Sequence, residues 1–425
     1  MATVPASETQ GERIVTLDVI RGIAVMGIFS VNVVGMAMIQ IAYFYPPAFG
    51  FDSLADKLMW LINFLLVDGK MRALFSILFG ASMLLVIERA VRAGRSGWRT
   101  HYARMIVLLV LGYLHFMLLW WGDILTHYAA VGMVAVLLHK LKARTLLILS
   151  ILGFVLFTAP GVYFFSKEIP EYYESQRPGA PEELRKKWEE RLKELSPDAA
   201  TLAKDRAEHR TLAAHFNSSF PEKAKQPLDL GPLWIETLSL MLLGMAGYKS
   251  GFLTGEWSDR RYRRTAAACL GIGLGAFAIL GAIAWSSGFA PPQFFAANQI
   301  ASPPFRPVAA IGYAALIILL FRHASAFRGR LAAVGRTAFT NYIGCTILGV
   351  LVFYGFAGDL YGKLSRFEAW LLVPPVWLLM LGWSKPWLDR FNYGPFEWLW
   401  RSLARMKLRP MRKHPAIAGP AAAAA

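Results

Sequence analysis

The 425-residue sequence has little charge and almost no cysteine. Asp, Glu, Lys and Arg make up 17% of it, against 56% hydrophobic residues, whereas soluble domains carry about 25% charged residues. This shortage of charge excludes an ordinary water-soluble protein and predicts that lipid surrounds most of the chain. The two cysteines, Cys269 and Cys345, both lie in apolar stretches, which excludes a disulfide framework.

The charge that is present has one predominant sign, with a formal net charge of +17. The basic residues lie in short loops between apolar stretches, a distribution typical of topology signals in membrane proteins. We therefore expect membrane lipids as partners and no nucleic acid. The first apolar stretch, residues 14–41, is long and lacks a small-residue cleavage site, so it is predicted to be an anchor that stays in the mature protein.

Loops rich in Lys and Arg stay in the cytoplasm, and one alternating path through the membrane satisfies all of them. It predicts an all-α fold: a polytopic transmembrane helix bundle of about ten helices, with both termini cytoplasmic and a helical extracytoplasmic insert. Residues 54–66 would break the alternation if they crossed, so we predict an outer-surface or re-entrant helix there. The predicted divisions are a cytoplasmic N-terminus (1–13), five transmembrane helices (14–166), a soluble charged insert (167–230), five further transmembrane helices (231–383), and a cytoplasmic interfacial helix with a basic tail (384–425).

The transmembrane helices are predicted near residues 14–40, 70–88, 104–121, 123–139, 144–166, 231–253, 263–286, 306–322, 333–356 and 366–383. Glycines one helical turn apart, Gly247 with Gly251 and Gly271 with Gly275, predict close contacts between helices. Acidic and basic residues nearly balance in the insert, so its export is compatible with its charge. We interpret the insert as a solvated cap over the bundle.

The first predicted helix carries polar residues where lipid should forbid them. Asp18 and Arg21 are three residues apart and share a face, and Asn32, eleven residues further on, returns to nearly the same face. Charged groups inside a membrane normally face the bundle and mark a site or a pathway. The alternative is that an Asp–Arg pair only locks this helix to its neighbours while Asn32 bonds to another helix.

A second polar group is predicted deeper in the membrane, toward the outer side. His115 follows Arg104 by eleven residues, and Asp123 and His127 lie one turn apart at the start of the next helix. A histidine beside a carboxylate is a candidate base, because its pKa lies near working pH and the carboxylate fixes its tautomer; a packed, hydrogen-bonded histidine is the alternative. His115, Asp123 and His127 are residue types that can bind zinc, but their spacing is not specific to zinc sites. No metal is therefore expected. The predicted outer cluster comprises His115, Asp123, His127, Arg72 and Asn32.

A third group is predicted at the cytoplasmic side. Arg336, Thr340 and Asn341 crowd one end of the ninth predicted helix. Three arginines near one carboxylate suit an anionic ligand such as a phosphate group. The alternative is simple anchoring of the helices by positive charge. The predicted inner cluster comprises Asp18, Arg21, Arg104, Arg336, Thr340 and Asn341.

Several motifs in order along the chain carry a family resemblance. They are residues 17–22, 75–80 and 122–125 with His115, 335–342 and 394–401. With these motifs the chain resembles the YeiB-like family of bacterial membrane proteins (domain of unknown function 418). The resemblance covers nearly the whole chain and implies a multi-pass protein of the bacterial inner (plasma) membrane.

The first helix is also similar to that of a broader group of membrane acyltransferases, which includes the heparan-glucosaminide acetyltransferases. Arg21 and Gly22 match the shared motif. In the branch that decorates bacterial surface sugars, a catalytic histidine stands eleven residues past the arginine, where this chain has Asn32. The glucosaminide branch has asparagine there, but the histidine that should follow is missing between residues 39 and 66. If acyl transfer occurs, the resemblance implies another base, and His115 is our prediction.

The leading hypothesis is transfer of an acyl group from cytoplasmic acyl-CoA to an extracytoplasmic small-molecule or glycan acceptor. His115, oriented by Asp123, would be the base, with His127 and Asn32 as further catalytic candidates. The alternative is a transporter or permease for a small molecule or lipid, and a third hypothesis is a partner-binding membrane scaffold. The oligomeric state stays open. The predicted residues for binding substrate or cofactor are Asp18, Arg21, Arg72, Arg104, Arg336, Thr340 and Asn341.

Overall fold

The computed structural model describes residues 15–225, 231, 233–323 and 325–413, and these residues fold mainly into helices. Within those ranges there is no β-sheet, only an isolated bridge between Phe391 and Arg412. The predicted all-α fold is thereby confirmed; the predicted N-terminal segment 1–13 lies outside the described residues. In chain order the helices are α1 (Val15–Ala37), α2 (Gln40–Phe44), α3 (Leu54–Leu66), α4 (Lys70–Arg92), α5 (Gly97–Leu118), α6 (Leu125–Ala135), α7 (Ala143–Ser175), α8 (Glu182–Glu194), α9 (Ala199–Glu208), α10 (Leu212–Lys225), α11 (Leu233–Lys249), α12 (Asp259–Ser286), α13 (Pro291–Phe295), α14 (Phe305–Leu320), α15 (Ala326–Arg336), α16 (Ala338–Phe353), α17 (Arg366–Trp370), α18 (Val373–Arg390) and α19 (Pro395–Leu403).

Six helical segments in the described part of the chain are long and apolar enough to cross a membrane, and two bent helix pairs bring the number to eight. Two of the predicted spans, 123–139 and 231–253, are helical but short. The first ends at Leu138 after 14 residues and α11 has 17, against the roughly 20 that a crossing needs. The chain is therefore an integral membrane protein in which α6 and α11 are shorter than the other apolar helices.

Two further regions differ from simple crossings: α3, before the predicted span 70–88, and the end of the predicted span 144–166. α3 forms over Leu54–Leu66, as predicted, and a turn at Gly69, with φ +69°, leads into α4. α4 alone has 23 residues and is long enough to cross, so α3 is not needed for the crossing. α7 continues to Ser175 rather than ending at residue 166, and its 33 residues reach about 50 Å.

The ninth predicted span, 333–356, is wrong as a single helix. α15 and α16 meet at Thr337 with a bend of 75°. The Thr337 hydroxyl donates to the Ala333 carbonyl at 3.0 Å and the Asn341 amide donates to the Val334 carbonyl at 3.2 Å. The Ala333 carbonyl also accepts the Thr337 backbone amide at 3.1 Å, so side-chain and backbone donors together satisfy the carbonyl groups at the end of α15.

Glycines let α4 and α11 touch at their backbones. Gly80 lies against the Met241 carbonyl, and Gly244 lies against the Ile77 carbonyl. A Cβ atom at either glycine would overlap those backbone atoms. The same arrangement joins α1 to α15 through Gly22 and Gly335. Small residues of this kind allow the close approach that membrane helices use for packing.

The two glycine pairs predicted from their spacing do not make such contacts between helices. Gly271 and Gly275 face open space, and Gly273, between them, lies against Ala309 of α14. Gly247 contacts Leu253 in the turn that follows its own helix, and Gly251 has φ +75°, which that turn requires. Both predicted pairs are therefore wrong as contacts between helices, because a four-residue spacing does not tell which face meets a neighbour.

The two ends of the bundle carry different structures. At one end, which we call the arginine end, the loop between α4 and α5 meets the segment after α19, with Arg95, Arg99 and Arg405 exposed. At the other, which we call the insert end, α9 and α10 lie beside the loop that follows α16. The Gly355 amide donates to the His209 carbonyl at 3.0 Å. α1 and α16 run between these two ends.

Two histidines hold the insert against the bundle. The ring of His209 stacks on Tyr361 with centroids 3.9 Å apart, and His215 contacts Tyr354 at 5.0 Å. Burial lowers the pKa of His209 from its ordinary value and, together with the nearby Lys223, lowers the pKa of His215 to about 4. Docking therefore favours the neutral rings.

Acidification is expected to release the insert. A free histidine has a pKa near 6.5, so the undocked state binds more protons below that pH, and the contribution is lost as pH falls from 6.5 toward 4. Protonation of His215 alone should weaken the docking of the insert by about 2 kcal/mol at pH 5. Hydrogen exchange in α9 and α10, corrected for intrinsic rates, should rise between pH 7.5 and pH 5. A His209→Phe, His215→Phe double variant should show no such rise; equal pH dependence in both proteins would contradict the prediction.

Candidate functional site

A cavity of about 680 Å³ enters the bundle from the arginine end. Its mouth carries exposed arginines, whereas its deep end is closed by the buried side chains of Leu108, Tyr128 and Tyr342. Between them the wall is largely apolar, with Val25 and Ile28 continuing the face of α1 that begins at the mouth. The space is therefore cationic where it opens and apolar where it ends.

The charge of this cavity is strongly unbalanced. Nine arginines line it, against two carboxylates, Asp18 and Glu397. Arginine keeps its charge and presents planar donors that match phosphate and carboxylate oxygens. Such a lining selects anions and, with the apolar interior, favours an anion that carries an apolar part. The arginines are Arg21, Arg89, Arg95, Arg99, Arg104, Arg336, Arg401, Arg405 and Arg409.

The predicted stripe on α1 forms one edge of this cavity. Arg21 Nη1 donates to Asp18 Oδ1 at 2.9 Å, which confirms the predicted pair, and Arg21 Nη2 donates to the Ser82 hydroxyl of α4 at 2.7 Å. The Asp18–Arg21 pair thus joins α1 to α4 and also lines the cavity. Asn32 lies outside the lining and accepts a long hydrogen bond, 3.5 Å, from the Tyr43 hydroxyl.

The C-terminal helix α19 covers one side of the mouth. The Trp400 indole donates to the Arg104 carbonyl at 2.7 Å, and the Arg104 guanidinium lies 4.2 Å from the Trp400 ring centroid. Glu397 accepts the backbone amides of Phe339 and Thr340 at 2.7 and 3.1 Å, at the start of α16. A carboxylate suits a helix N-terminus because its first amides have no partner within the helix.

Two members of the predicted inner cluster do not line the cavity. The Thr340 hydroxyl donates to Glu397 at 2.6 Å. The Asn341 amide accepts from the Trp383 indole at 2.9 Å and donates to Val334 and to two hydroxyls. Asn341 therefore stabilises the bend between α15 and α16, and Thr340 joins α16 to α19. The structure brings Asp18, Arg21, Arg104 and Arg336 together, and it leaves Thr340 and Asn341 outside.

The predicted pair of His115 and Asp123 is present, and it lies behind the deep end of the cavity. His115 Nδ1 lies 3.0 Å from Asp123 Oδ1, and both side chains are at most 2% exposed. Asp123 Oδ2 accepts the Thr126 amide at 2.9 Å. The other ring nitrogen, Nε2, lies 3.0 Å from the Thr346 hydroxyl of α16. Tyr342, which lines the cavity, also contacts the His115 ring at 5.3 Å, so a single side chain separates the cavity from this pair.

The remaining members of the predicted outer cluster have other partners. His127 Nε2 lies 2.9 Å from the Thr237 hydroxyl of α11. Arg72 donates to Glu236 at 2.6 Å, and Arg306 of α14 donates to the other carboxylate oxygen at 3.1 Å. The printed partners of His127 and Arg72 thus lie on α11 and α14, which sequence spacing did not predict.

Sequence reasoning missed several of these residues. Glu236 is a lone carboxylate near the start of an apolar helix, which was a usable signal. His101 lines the cavity, with Nε2 3.0 Å from the Gly132 carbonyl, and its position three residues before Arg104 placed it on the same face. Thr346 gave no signal, since a threonine in an apolar helix is common.

The chain has relatives of the same length among known proteins. It is 31% identical over 398 residues to the Uncharacterized protein YeiB of Escherichia coli (strain K12), an alignment that covers 92% of this chain and 96% of that protein. The chain belongs to the YeiB-like family. It is likewise 31% identical over 412 residues to the Uncharacterized protein YxaH of Bacillus subtilis (strain 168), covering 95% and 96% of the two chains.

A model of the family, described as protein of unknown function (DUF418), matches residues 247–407. No solved structure matches significantly. The part matched by the YeiB-like family model contributes Arg336, Tyr342, Glu397 and Arg401 to the cavity, whereas α1, α4 and α5 supply the opposite wall. Both halves of a YeiB-like chain are therefore needed to enclose this space.

Proposed function

We propose that this protein is a membrane acyltransferase that takes an acyl group from acyl-CoA and passes it to an acceptor reached from the insert end. The cavity carries the proposal, because it joins a cationic mouth to an apolar interior. The phosphates of coenzyme A suit the arginines, and the acyl chain suits the apolar deep end. By the positive-inside rule the arginine end faces the cytoplasm, where acyl-CoA is made, and the insert lies outside.

The His115–Asp123 pair supports the chemistry of the proposal. Asp123 accepts from Nδ1–H and so leaves Nε2 as the basic nitrogen. A base of this kind can take the proton of an attacking hydroxyl or amine and give it to the leaving group. The acyl carbon then gains a bond to the acceptor and loses its bond to sulfur. The resemblance of the first helix to membrane acyltransferases points in the same direction.

Binding of acyl-CoA tests this function directly. Purified protein in detergent should bind acetyl-CoA or palmitoyl-CoA, with a rise in melting temperature, and Arg21→Ala should weaken the affinity about 10- to 100-fold, since a hydrogen bond to a charged group contributes about 1.5–3 kcal/mol. Arg185→Ala is the matched control, because Arg185 lies on α8 of the insert and is 57% exposed. Absence of binding to the wild-type protein would remove the proposal.

A second function, transport of an organic anion, has one observation in its favour. In the described part of the chain the cavity opens at the arginine end and is closed at its deep end, and a charged group, Arg72–Glu236–Arg306, joins α4, α11 and α14. A carrier seen in one of its two states has such a shape. Proteoliposomes should then take up labelled citrate or glycerol 3-phosphate, and Asp18→Asn should abolish the uptake. Uptake without any acyl transfer would favour this function over the first.

A further inference from the structure

The buried group behind Tyr342 contains three side chains in sequence. Thr346 on α16 lies 3.0 Å from His115 Nε2 on α5, and His115 Nδ1 lies 3.0 Å from Asp123 in the connection to α6. A hydroxyl beside a histidine that is oriented by a carboxylate is the arrangement that activates a nucleophile. We propose that Thr346 receives the acyl group and holds it as an ester between two half-reactions.

The hydrogen bonds define the role of each group. Asp123 is held by the Thr126 amide and accepts from His115 Nδ1–H, so Nε2 carries a lone pair toward the Thr346 hydroxyl. The hydroxyl could instead donate to the Tyr342 carbonyl, but that contact is longer, 3.4 Å. Nε2 is therefore the better acceptor for the proton. Asp123 acts as a positioning residue, and Thr346 and His115 are the catalytic residues.

The position of Thr346 explains why the acyl group would be held on this residue, an arrangement that we call the acyl relay. Thr346 lies four residues beyond Tyr342, and thus one turn deeper along α16, about 6 Å past the closed end of the cavity. Within the described structure, an acyl donor at the mouth and an acceptor from the insert end do not share a space. An acyl group carried on Thr346 crosses this partition without both substrates being bound at once. This inference rests on the proposed acyl-CoA binding.

Each half-reaction balances. In the first, Thr346 Oγ attacks the thioester carbonyl, a C–O bond forms and the C–S bond breaks. His115 Nε2 takes the hydroxyl proton and gives it to the thiolate, which leaves as the thiol of coenzyme A. In the second, the acceptor hydroxyl or amine attacks the ester carbonyl, and His115 moves its proton to Thr346 Oγ. No oxidant, reductant or metal is required.

Capture of the ester tests the relay. Purified full-length protein is mixed with acetyl-CoA or palmitoyl-CoA labelled in the acyl group, without acceptor, and then denatured and analysed for covalent label. Wild type and Thr346→Ser should both carry an alkali-labile ester on a peptide from α16, and Thr346→Val should carry none. Release of coenzyme A thiol in the first turnover should follow the same order.

Thr237→Val is the matched control for folding. Thr237 and Thr346 are both fully buried, and each hydroxyl lies about 3 Å from a histidine Nε2. The Thr237→Val variant should keep the label. Label that persists in Thr346→Val overturns the relay, and so does a wild-type protein that binds acyl-CoA and transfers the acyl group without ever being labelled. Absence of acyl-CoA binding is a different result, because it removes the proposed function itself.

Discussion

Replacement of Glu236 by alanine is expected to destabilise the protein by about 3–5 kcal/mol, since removal of one partner of a buried ion pair leaves its charge uncompensated. The carboxylate is fully buried between Arg72 at 2.6 Å and Arg306 at 3.1 Å. Two cations would then face each other where lipid and packed side chains exclude water. Unfolding in detergent, followed by tryptophan fluorescence or thermal aggregation, measures the loss.

Two further variants make this result specific. Glu236→Gln keeps one side-chain oxygen, so its stability should lie between those of the wild type and Glu236→Ala. Glu189→Ala removes a carboxylate from an exposed pair with Arg185 on α8, and exposed pairs contribute about 0–1 kcal/mol. If Glu236→Ala and Glu189→Ala melt at the same temperature, the two arginines do not depend on Glu236.

Gly244→Ala should destabilise the protein nearly as much as Glu236→Ala, although it adds only a methyl group. Its Cβ would overlap the Ile77 carbonyl of α4, and neither backbone can move without disturbing the reciprocal contact of Gly80 with Met241. Overpacking of this kind costs about 1–3 kcal/mol, and more when backbone must shift. Denaturant unfolding and the yield of monodisperse protein report the loss.

Gly275→Ala provides the opposite case within the same chain. Gly275 lies in α12 with open space around its Cβ position, and alanine favours a helix over glycine by up to about 1 kcal/mol. This variant should be as stable as the wild type or more so. A loss equal to that of Gly244→Ala would show that glycine matters here for a reason other than close packing.

The helices could be predicted because apolar length and loop charge are local properties of a sequence. The pairing of Asp18 with Arg21 was equally local, since both lie on one helix. The His115–Asp123 pair was within reach because only a short turn separates them. Each of these depends on neighbours within about ten residues, and periodicity carries that information.

The remaining features depend on residues far apart in the chain. Arg72 meets Glu236 and Arg306 only because α4, α11 and α14 pack together, and no spacing rule connects those positions. Thr340 and Asn341 were expected to face a ligand because the helix was taken as continuous, and the 75° bend at Thr337 turns them elsewhere. Arg89, Arg95 and Arg99 were interpreted only as topology signals, although their side chains also line the cavity.

The cavity is enclosed by residues that are synthesised long after the helices of its opposite wall. Arg21 and Arg104 enter the membrane early, and the covering residues around Asn392 and Trp400 follow about 290 residues after Arg104. At about 5–20 residues per second, that gap lasts roughly 15–60 s. During this interval Arg21 and Arg104 lack the cover of α19, and anionic headgroups at the bilayer surface are available counter-ions for them. We therefore expect the membrane insertion of this protein to be sensitive to the supply of anionic phospholipid.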